Sequence, residues 1–205
     1  MKKLPSPLLF IADMDAAGEC LFPILQTALK GGCRWVLLRG VNASRQQLLA
    51  AGLRARKLCK THKAKLFISR DAVVARRIKA DGLHLSSRQK AKKIPGMMLG
   101  QSCHNAAEMR RALANGVDYI FLSPVFKPLS KKSRGAPLGL AKLKALIKKS
   151  PVPVCALGGI TPEKAGLCLQ AGAQAVAVLG GIINASDPQT QIQNYLKQLQ
   201  KPRAR

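Results

Sequence analysis

Four segments of this chain share one form, and that repetition limits the fold more than anything else in it. In each, a helix-like run meets glycine or another small residue and then a short apolar run. They are Leu29–Leu38 (LKGGCRWVLL), Ile78–Leu85 (IKADGLHL), Leu113–Leu122 (LANGVDYIFL) and Leu169–Leu179 (LQAGAQAVAVL). Such a joint ends a helix in a left-handed residue and enters a strand covered on both faces, which is how parallel βα repeats are built. Read along the chain, the apolar runs predict strands at Leu8–Ala12, Arg34–Leu38, Leu66–Ile68, Gly82–Leu85, Met97–Gly100, Tyr119–Leu122, Val152–Cys155 and from Ala175. Helical patterns lie between them: Cys20–Leu29, a long helix capped by Asn42 or Ser44 and running through Lys60, Asp71–Lys79, Asn105–Ala114, Gly139–Lys149, Pro162–Gly172 and Pro188–Gln200. About eight such units without a long structureless insert predict an α/β protein, a (β/α)8 TIM barrel. A single compact domain then covers residues 1–205, with a short basic tail at 201–205. The runner-up, a doubly wound open sheet, needs fewer strands and usually a G-x-G-x-x-G after the first, which is missing here. A hydrophobic content of 47% over 205 residues is enough for one sizeable core.

In such a barrel the chemistry belongs at the carboxyl ends of the strands. Those ends read Asp13, Arg39, Ser69-Arg70-Asp71, Ser86-Ser87, Ser102 with His104, Ser123, Gly158-Gly159 and, after Leu179, Gly180-Gly181. Hydroxyls, glycines and guanidinium groups dominate, and carboxylates are few. Each glycine pair frees backbone N–H groups at a strand end beside a helix start, which suits a phosphate. Thr161 is placed to cap the helix after the first pair, with Pro162 at its first position. The glycines serving only as tight turns is the competing reading, and the residues alone leave both open. The loop KPLSKKSRGA (Lys127, Ser130, Lys131, Lys132, Arg134) reads as a mobile basic lid able to close on an anion. Of the three histidines, His62 reads as solvated and His84 as a satisfied barrel residue, while His104 is close enough to the mouth to be a candidate general base.

Charge narrows the partners. Thirty-five Lys plus Arg stand against 9 Asp plus Glu, a net charge of +26, so anionic ligands are drawn in. Much of the excess falls on outer helices (Arg54, Lys57, Lys60, Arg76, Arg77, Lys148, Lys149), where solvation explains it. Aromatics make up only 4%, and no helix-turn-helix, zinc-finger or RNP signature is present, so nucleic acid is disfavoured as a partner. No run approaches the roughly 18 apolar residues of a membrane span. The N-terminal apolar run Leu8–Ala12 is flanked by Pro5 and Pro7 and followed by acids, which argues against an export signal and for a cytoplasmic protein. Six scattered cysteines without a C-x-x-C pair fit reduced thiols. A homo-oligomer stays open.

With these blocks in view, the chain resembles thiamine phosphate synthase and its thiazole-tautomerase (TenI-like) relatives over essentially its whole length, as a divergent member. The resemblance rests on FIAD at the end of the first strand, Gly31-Gly32 leading to VLLR, ADGLHL, GQSCHNAAEMRRALANGVDYIFLSPVF, Ser130-Lys131-Lys132, and VPVCALGGITPEKAGLCLQAGAQAVAVLGGI. It implies a (β/α)8 barrel in thiamine biosynthesis or salvage. The implied reaction joins a pyrimidine methyl diphosphate to a thiazole phosphate and releases pyrophosphate through a carbocation-like intermediate, with Mg²⁺ on the leaving group. By position it implies that Gly159 and the backbone at Leu179-Gly180 hold the thiazole phosphate. Arg39, Ser130 and Lys131 would meet pyrophosphate, and Ser102 would lie near the reacting centre. Gly158, Ser69 and Arg70 complete the candidate phosphate-binding set, and Ser102, His104 and Arg39 are the candidate catalytic residues.

The departures are as informative. The family's strand-two motif Gln-Leu-Arg-x-Lys reads Leu37-Leu38-Arg39-Gly40-Val41 here. The magnesium-ligand Asp of Asn-Asp-Arg is replaced by Arg70 in Ser69-Arg70-Asp71, and the second ligand position is Gln89. Magnesium favours carboxylate oxygens in near-octahedral geometry, so the cofactor expected for the family has lost its ligands and no metal-binding residue is assigned. The tautomerase's catalytic His falls at Pro124. The expected ligands are thiazole phosphate, the pyrimidine diphosphate or thiamine phosphate. The alternatives are a barrel that binds such a ligand without turning it over and, with less support, a basic nucleic-acid-binding protein.

Overall fold

The computed structural model describes residues 2–90, 92–127 and 136–200. Eight strands form one closed barrel in chain order: β1 (Leu8–Asp13), β2 (Trp35–Arg39), β3 (Lys65–Ser69), β4 (Gly82–Leu85), β5 (Met98–Cys103), β6 (Tyr119–Leu122), β7 (Val154–Leu157) and β8 (Ala175–Val178). Every pairing is parallel, and β1 closes the ring on β8 with Leu8 opposite Val176. Closure rules out the doubly wound sheet. The helices are α1 (Met14–Ala17), α2 (Leu21–Lys30), α3 (Arg45–Thr61), α4 (Ala72–Arg77), α5 (Ala106–Ala114), α6 (Gly139–Ile147), α7 (Pro162–Gln170), α8 (Gly180–Ile183) and α9 (Pro188–Leu199).

Local chemistry accounts for most boundaries. Ser44, not Asn42, caps α3: its hydroxyl accepts from the Gln47 N–H and the Gln47 amide accepts from the Ser44 N–H, a reciprocal capping box. Asp71 and Asn105 cap α4 and α5 through their side chains. β7 begins two residues later than the apolar run suggests, since Pro153 has no N–H to give a ladder. Thr161 holds the cap position of α7 without a side-chain cap bond. Two short helices, α1 and α8, have too few residues to show a period, and no helix lies between β4 and β5 among the described residues.

Because the sheet is covered outside by helices and filled inside, its strands are apolar on both faces. Leu8, Phe10, Val36, Leu38, Ile120 and Val176 face outward into the helix layer. Leu9, Ile11, Trp35, Leu37, Phe67, Tyr119, Phe121, Cys155, Ala175 and Ala177 face inward. The inward set is lopsided. Trp35, Phe67 and Tyr119 meet edge to face at 5.3–5.9 Å between centroids. They fit only because the strands beside them carry no side chain at the same level. A methyl on Gly100 would lie 2.1 Å from Tyr119 Cζ, and one on Gly82 would lie 2.4 Å from Phe67 Cε2. β7 and β8 place Cys155, Ala175 and Ala177 there, with Leu157 and Leu179 partly buried at their carboxyl ends, so the interior is thinly filled on that side.

The floor of the barrel is clasped by one device used three times. The residue just before β4, β6 and β8 turns its side chain back to the N–H of the preceding strand. Asp81 takes Leu66 N–H (2.9 Å), Asp118 takes Leu99 N–H (2.9 Å) and Gln174 takes Val154 N–H (2.7 Å). Cations complete the two carboxylates: Arg56 and Lys65 on Asp81, Lys2 and Lys93 on Asp118. All six cysteines are free, and burial pushes the Cys33 thiol up to about 11 and that of Cys59 up to about 12, so these are packing groups rather than nucleophiles.

Two tests follow from this packing. Gly100→Ala should destabilise the protein by about 1–3 kcal/mol, as expected for overpacking. Gly166→Ala, inside α7 with its nearest neighbour at an ordinary 3.7 Å, should stabilise it by about 0.4–1 kcal/mol. Urea denaturation of the two variants checks both signs. The clasps also set the acid response. Burial alone would raise the Asp81 and Asp118 carboxyls, but for Asp81 the Leu66 N–H, Lys65 and Arg56 outweigh it, as do Lys2, the Leu99 N–H and Lys93 for Asp118. Both sit below the ordinary carboxylate value, so their stabilisation is complete above about pH 4 and is lost as pH falls through the depressed folded values. Urea midpoints measured from neutral pH downward should fall there, and Asp81→Asn should make the fall shallower.

Candidate functional site

The thin side of the plug opens into a cavity of about 380 Å³ at the carboxyl ends of β1, β2, β7 and β8. Its walls include Ile11, Arg39, Leu157, Gly158, Gly159, Ala177, Leu179, Gly180 and Asn184. The apolar floor (Ile11, Leu157, Ala177) comes from inward positions of the strands, and the polar rim from their tips. Arg39 is held across the mouth. Its Nη1 lies 3.0 Å from Asp13 Oδ2, its register partner on β1, while Asp13 Oδ1 accepts from the Asp15 and Ala16 N–H groups. Asp13 is buried and Arg39 half-exposed, so a fixed anchor holds a cation that still faces solvent.

The glycine tips have distinct reasons to be glycine. Gly158 (φ 100°) and Gly159 (φ 63°) are left-handed, a conformation that a side chain strains. They also touch the loop after β6: a Cβ on Gly159 would sit 2.4 Å from the Lys127 carbonyl oxygen. Phe126 N–H donates to the Gly158 carbonyl and Val125 N–H to that of Leu157, lacing the two loops together. Gly180 begins α8, whose first N–H groups have no carbonyl one turn back. A phosphate site formed by the loops after strands seven and eight and the start of a short extra helix recurs in barrels of this class.

A second recess of about 400 Å³ lies between the β2 and β3 ends, with Gly40, Arg45, Ser69, Arg70 and Asp71 on its walls. Arg70 is left-handed (φ 70°), and its N–H donates to the His84 carbonyl. Asp71 is committed elsewhere: it accepts from Val73 and Val74 N–H groups and pairs with Arg45 at 2.8 Å. Burial raises its carboxyl, but the Arg45 bond and these N–H groups hold it below the usual range.

Ser102 faces the barrel axis, and its hydroxyl lies 3.0 Å from His84 Nε2. His84 is buried, its Nδ1 lies 2.9 Å from the Tyr119 hydroxyl, and burial pushes its pKa down to about 3. The structure therefore brings Arg39, Gly158, Gly159, Leu179 and Gly180 to one cavity, and Ser69 and Arg70 to the recess beside it. His104 is not on the walls of either. It is exposed, and both its Nδ1 and its N–H are taken by Glu108 one turn along α5. Ser130, Lys131 and most of the expected basic lid lie outside the described residues. Sequence reasoning passed over Asn184 and the pairing of Asp13 with Arg39; an acid and a base at adjacent strand tips was the available signal for the pair.

Magnesium does not fit the groups present. The carboxylates at the β1–β3 tips are spoken for: Asp13 by Arg39, Asp15 by the Val41 and Asn42 N–H groups, Asp71 by Arg45. At the other expected ligand position, the Gln89 amide oxygen accepts from the Ser86 N–H and hydroxyl. Among the described residues no cluster of three or more His, Cys, Asp or Glu could hold a metal ion.

Residues 8–182 match the family model described as thiamine monophosphate synthase. The chain belongs to that family. A thiamine-phosphate synthase of Methanococcus vannielii is 34% identical over 88% of this chain and 89% of its own. The thiamine biosynthesis bifunctional protein ThiED of Geobacter sulfurreducens is 35% identical over 88% of this chain, which spans only 37% of that longer protein. Among solved structures, a thiamine phosphate pyrophosphorylase from Pyrococcus furiosus superposes with a TM-score of 0.83 at 25% identity, covering 94% of each chain. No described helix is long and apolar enough to cross a membrane.

The clean probe of this family member's glycine-tip cavity is Gly180, where a Cβ would meet only Asn184 Nδ2 at 3.5 Å. Gly180→Asp should weaken inorganic phosphate binding at least tenfold by placing a carboxylate beside the anion, while Gly180→Ala leaves it within about twofold. Isothermal titration checks this, and equal affinity in Gly180→Asp and wild type rejects the site.

Proposed function

We propose that this chain couples a pyrimidine methyl diphosphate to a thiazole phosphate, giving thiamine phosphate and pyrophosphate. The observation that carries this reading is the cavity in which Arg39, the two glycine tips and an apolar floor come together, in a chain of this family. In the reaction the methylene C–O bond breaks and pyrophosphate leaves with the electron pair. The thiazole nitrogen then donates its lone pair to the resulting cation, forming the C–N bond. No proton needs to move, which agrees with strand tips at β1 to β3 whose carboxylates are all engaged by cations or backbone N–H groups.

In this reading the backbone at Gly159 and at Leu179-Gly180 holds the thiazole phosphate, and Gly158 shapes that turn. Arg39 meets the departing pyrophosphate, where positive charge stabilises developing negative charge. Ser69 and Arg70 extend the cationic wall toward the diphosphate, with Ser130 and Lys131 contributing from the loop after β6. Ser102 lies beside the reacting carbon. His104 has no assigned step, since Glu108 engages it. Magnesium has no assigned step either, because no donor set fits it.

One observation favours a second reading, a barrel that binds thiamine phosphate without making it. Arg70 stands where the family carries a ligand carboxylate, and Gln89 replaces the other. A single assay separates the two. Pyrophosphate release from the two substrates should proceed, and EDTA should leave its rate unchanged. Loss of turnover in EDTA would reject metal-free coupling. No turnover in either condition, with thiamine phosphate still raising the melting temperature, would establish the binding protein.

A further inference from the structure

Ser102, His84 and Tyr119 form a hydrogen-bonded line from the barrel mouth into the aromatic plug, with no carboxylate at its inner end. Ser102 Oγ to His84 Nε2 is 3.0 Å, and His84 Nδ1 to Tyr119 Oη is 2.9 Å. The His84 ring lies 4.0 Å from that of Phe121, and the Tyr119 ring packs against Trp35 and Phe67. The outline resembles a nucleophile, a base and a group that orients the base. The surroundings exclude that role. A useful base has a pKa near the working pH, and this imidazole, sealed in apolar packing, cannot hold a second proton there. The line must therefore orient something rather than move a proton.

Proton counting gives the direction. The Tyr119 hydroxyl is fully buried, and among the described residues His84 Nδ1 is its hydrogen-bond partner. If Nδ1 carried the proton and donated to Tyr119, the phenolic proton would be left buried with no acceptor, which is costly. The phenol therefore donates to Nδ1, the imidazole proton sits on Nε2, and Nε2–H donates to Ser102 Oγ. One lone pair of Ser102 is then occupied, and its own O–H is free to point into the mouth.

We propose that Tyr119 and His84 are positioning residues that fix Ser102 as a hydrogen-bond donor to the anionic substrate. Its contribution to binding rests on the coupling reaction proposed above; the tautomer itself does not. The deep pair acts only through Ser102, since neither reaches the mouth. The same arrangement explains why Gly100 lies level with Tyr119: a methyl there would strike the phenol at Oη (2.5 Å) and break the line at its inner end.

The test has two readouts. Long-range ¹H–¹⁵N correlation on the labelled protein should show the His84 Nε2–H tautomer in wild type, with Tyr119→Phe releasing it toward a mixture. Calorimetric titration with inorganic pyrophosphate should show Ser102→Ala and Tyr119→Phe each binding about tenfold more weakly, the size of one hydrogen bond to a charged group. The double variant should be no weaker than Ser102→Ala alone. A purely structural Tyr119 would lower the melting temperature and leave pyrophosphate affinity unchanged, and that overturns the proposal. So does an Nδ1–H tautomer in wild type, or additive losses in the double variant. If wild type fails to bind pyrophosphate, the coupling function falls, and the tautomer measurement still decides the relay.

Discussion

Filling the inside of the barrel is the constraint from which both stability and cavity follow. Eight short parallel strands enclose a narrow space, and three large rings from β2, β3 and β6 occupy most of one side of it. Packing at crystal-like density tolerates neither overlap nor void. Two neighbouring strands therefore give up their side chains at Gly82 and Gly100, while β7 and β8 supply a thiol and methyl groups below Leu157 at the tip of β7. Under the tips of β7 and β8 the result is an apolar pocket floor rather than a filled core. The large rings and the cavity are thus two outcomes of a single distribution of volume among the strands.

Electrostatics divides along the barrel axis. At the floor the acids are used for stability: Asp81 and Asp118 each accept one strand N–H and two cations. At the mouth the acids are used to hold groups in place, Asp13 against Arg39 and Asp71 against Arg45. At the tips of β1 to β3 no carboxylate is left to gather a divalent cation, so the positive charge there available to an anion is guanidinium and backbone N–H. An excess of 26 positive charges over the chain raises the local concentration of any phosphorylated ligand before these groups engage it.

Much of the fold was legible because it rests on local signals. β4 and β6 have the bounds read from IKADGLHL and LANGVDYIFL, and the glycine-containing joints mark where helices stop. Less local features were not. Pro153 shortens β7 through a missing donor, a detail that hydrophobic pattern alone overlooks. α8 spans four residues, too short for a period, although it lies on the wall of the cavity. Gly82 and Gly100 read only as end residues of their strands in the sequence; the rings of Phe67 and Tyr119, brought up from other strands, show them to be sites of close approach. For the site, strand-tip logic placed Arg39 and the glycine pairs together. It read His84 rightly as a satisfied barrel residue but could not name its partners, which lie 18 and 35 residues away. It also made His104 a candidate base, although Glu108, four residues on, engages its ring.

The side-chain clasps on the floor tie the strands in twos: β3 to β4, β5 to β6, β7 to β8. The chain can consequently be opened between such couples without cutting a clasp. Gly96, exposed and with open space around it in the helix-free stretch before β5, is the natural position for new termini. A circularly permuted barrel beginning there would keep all three couples whole.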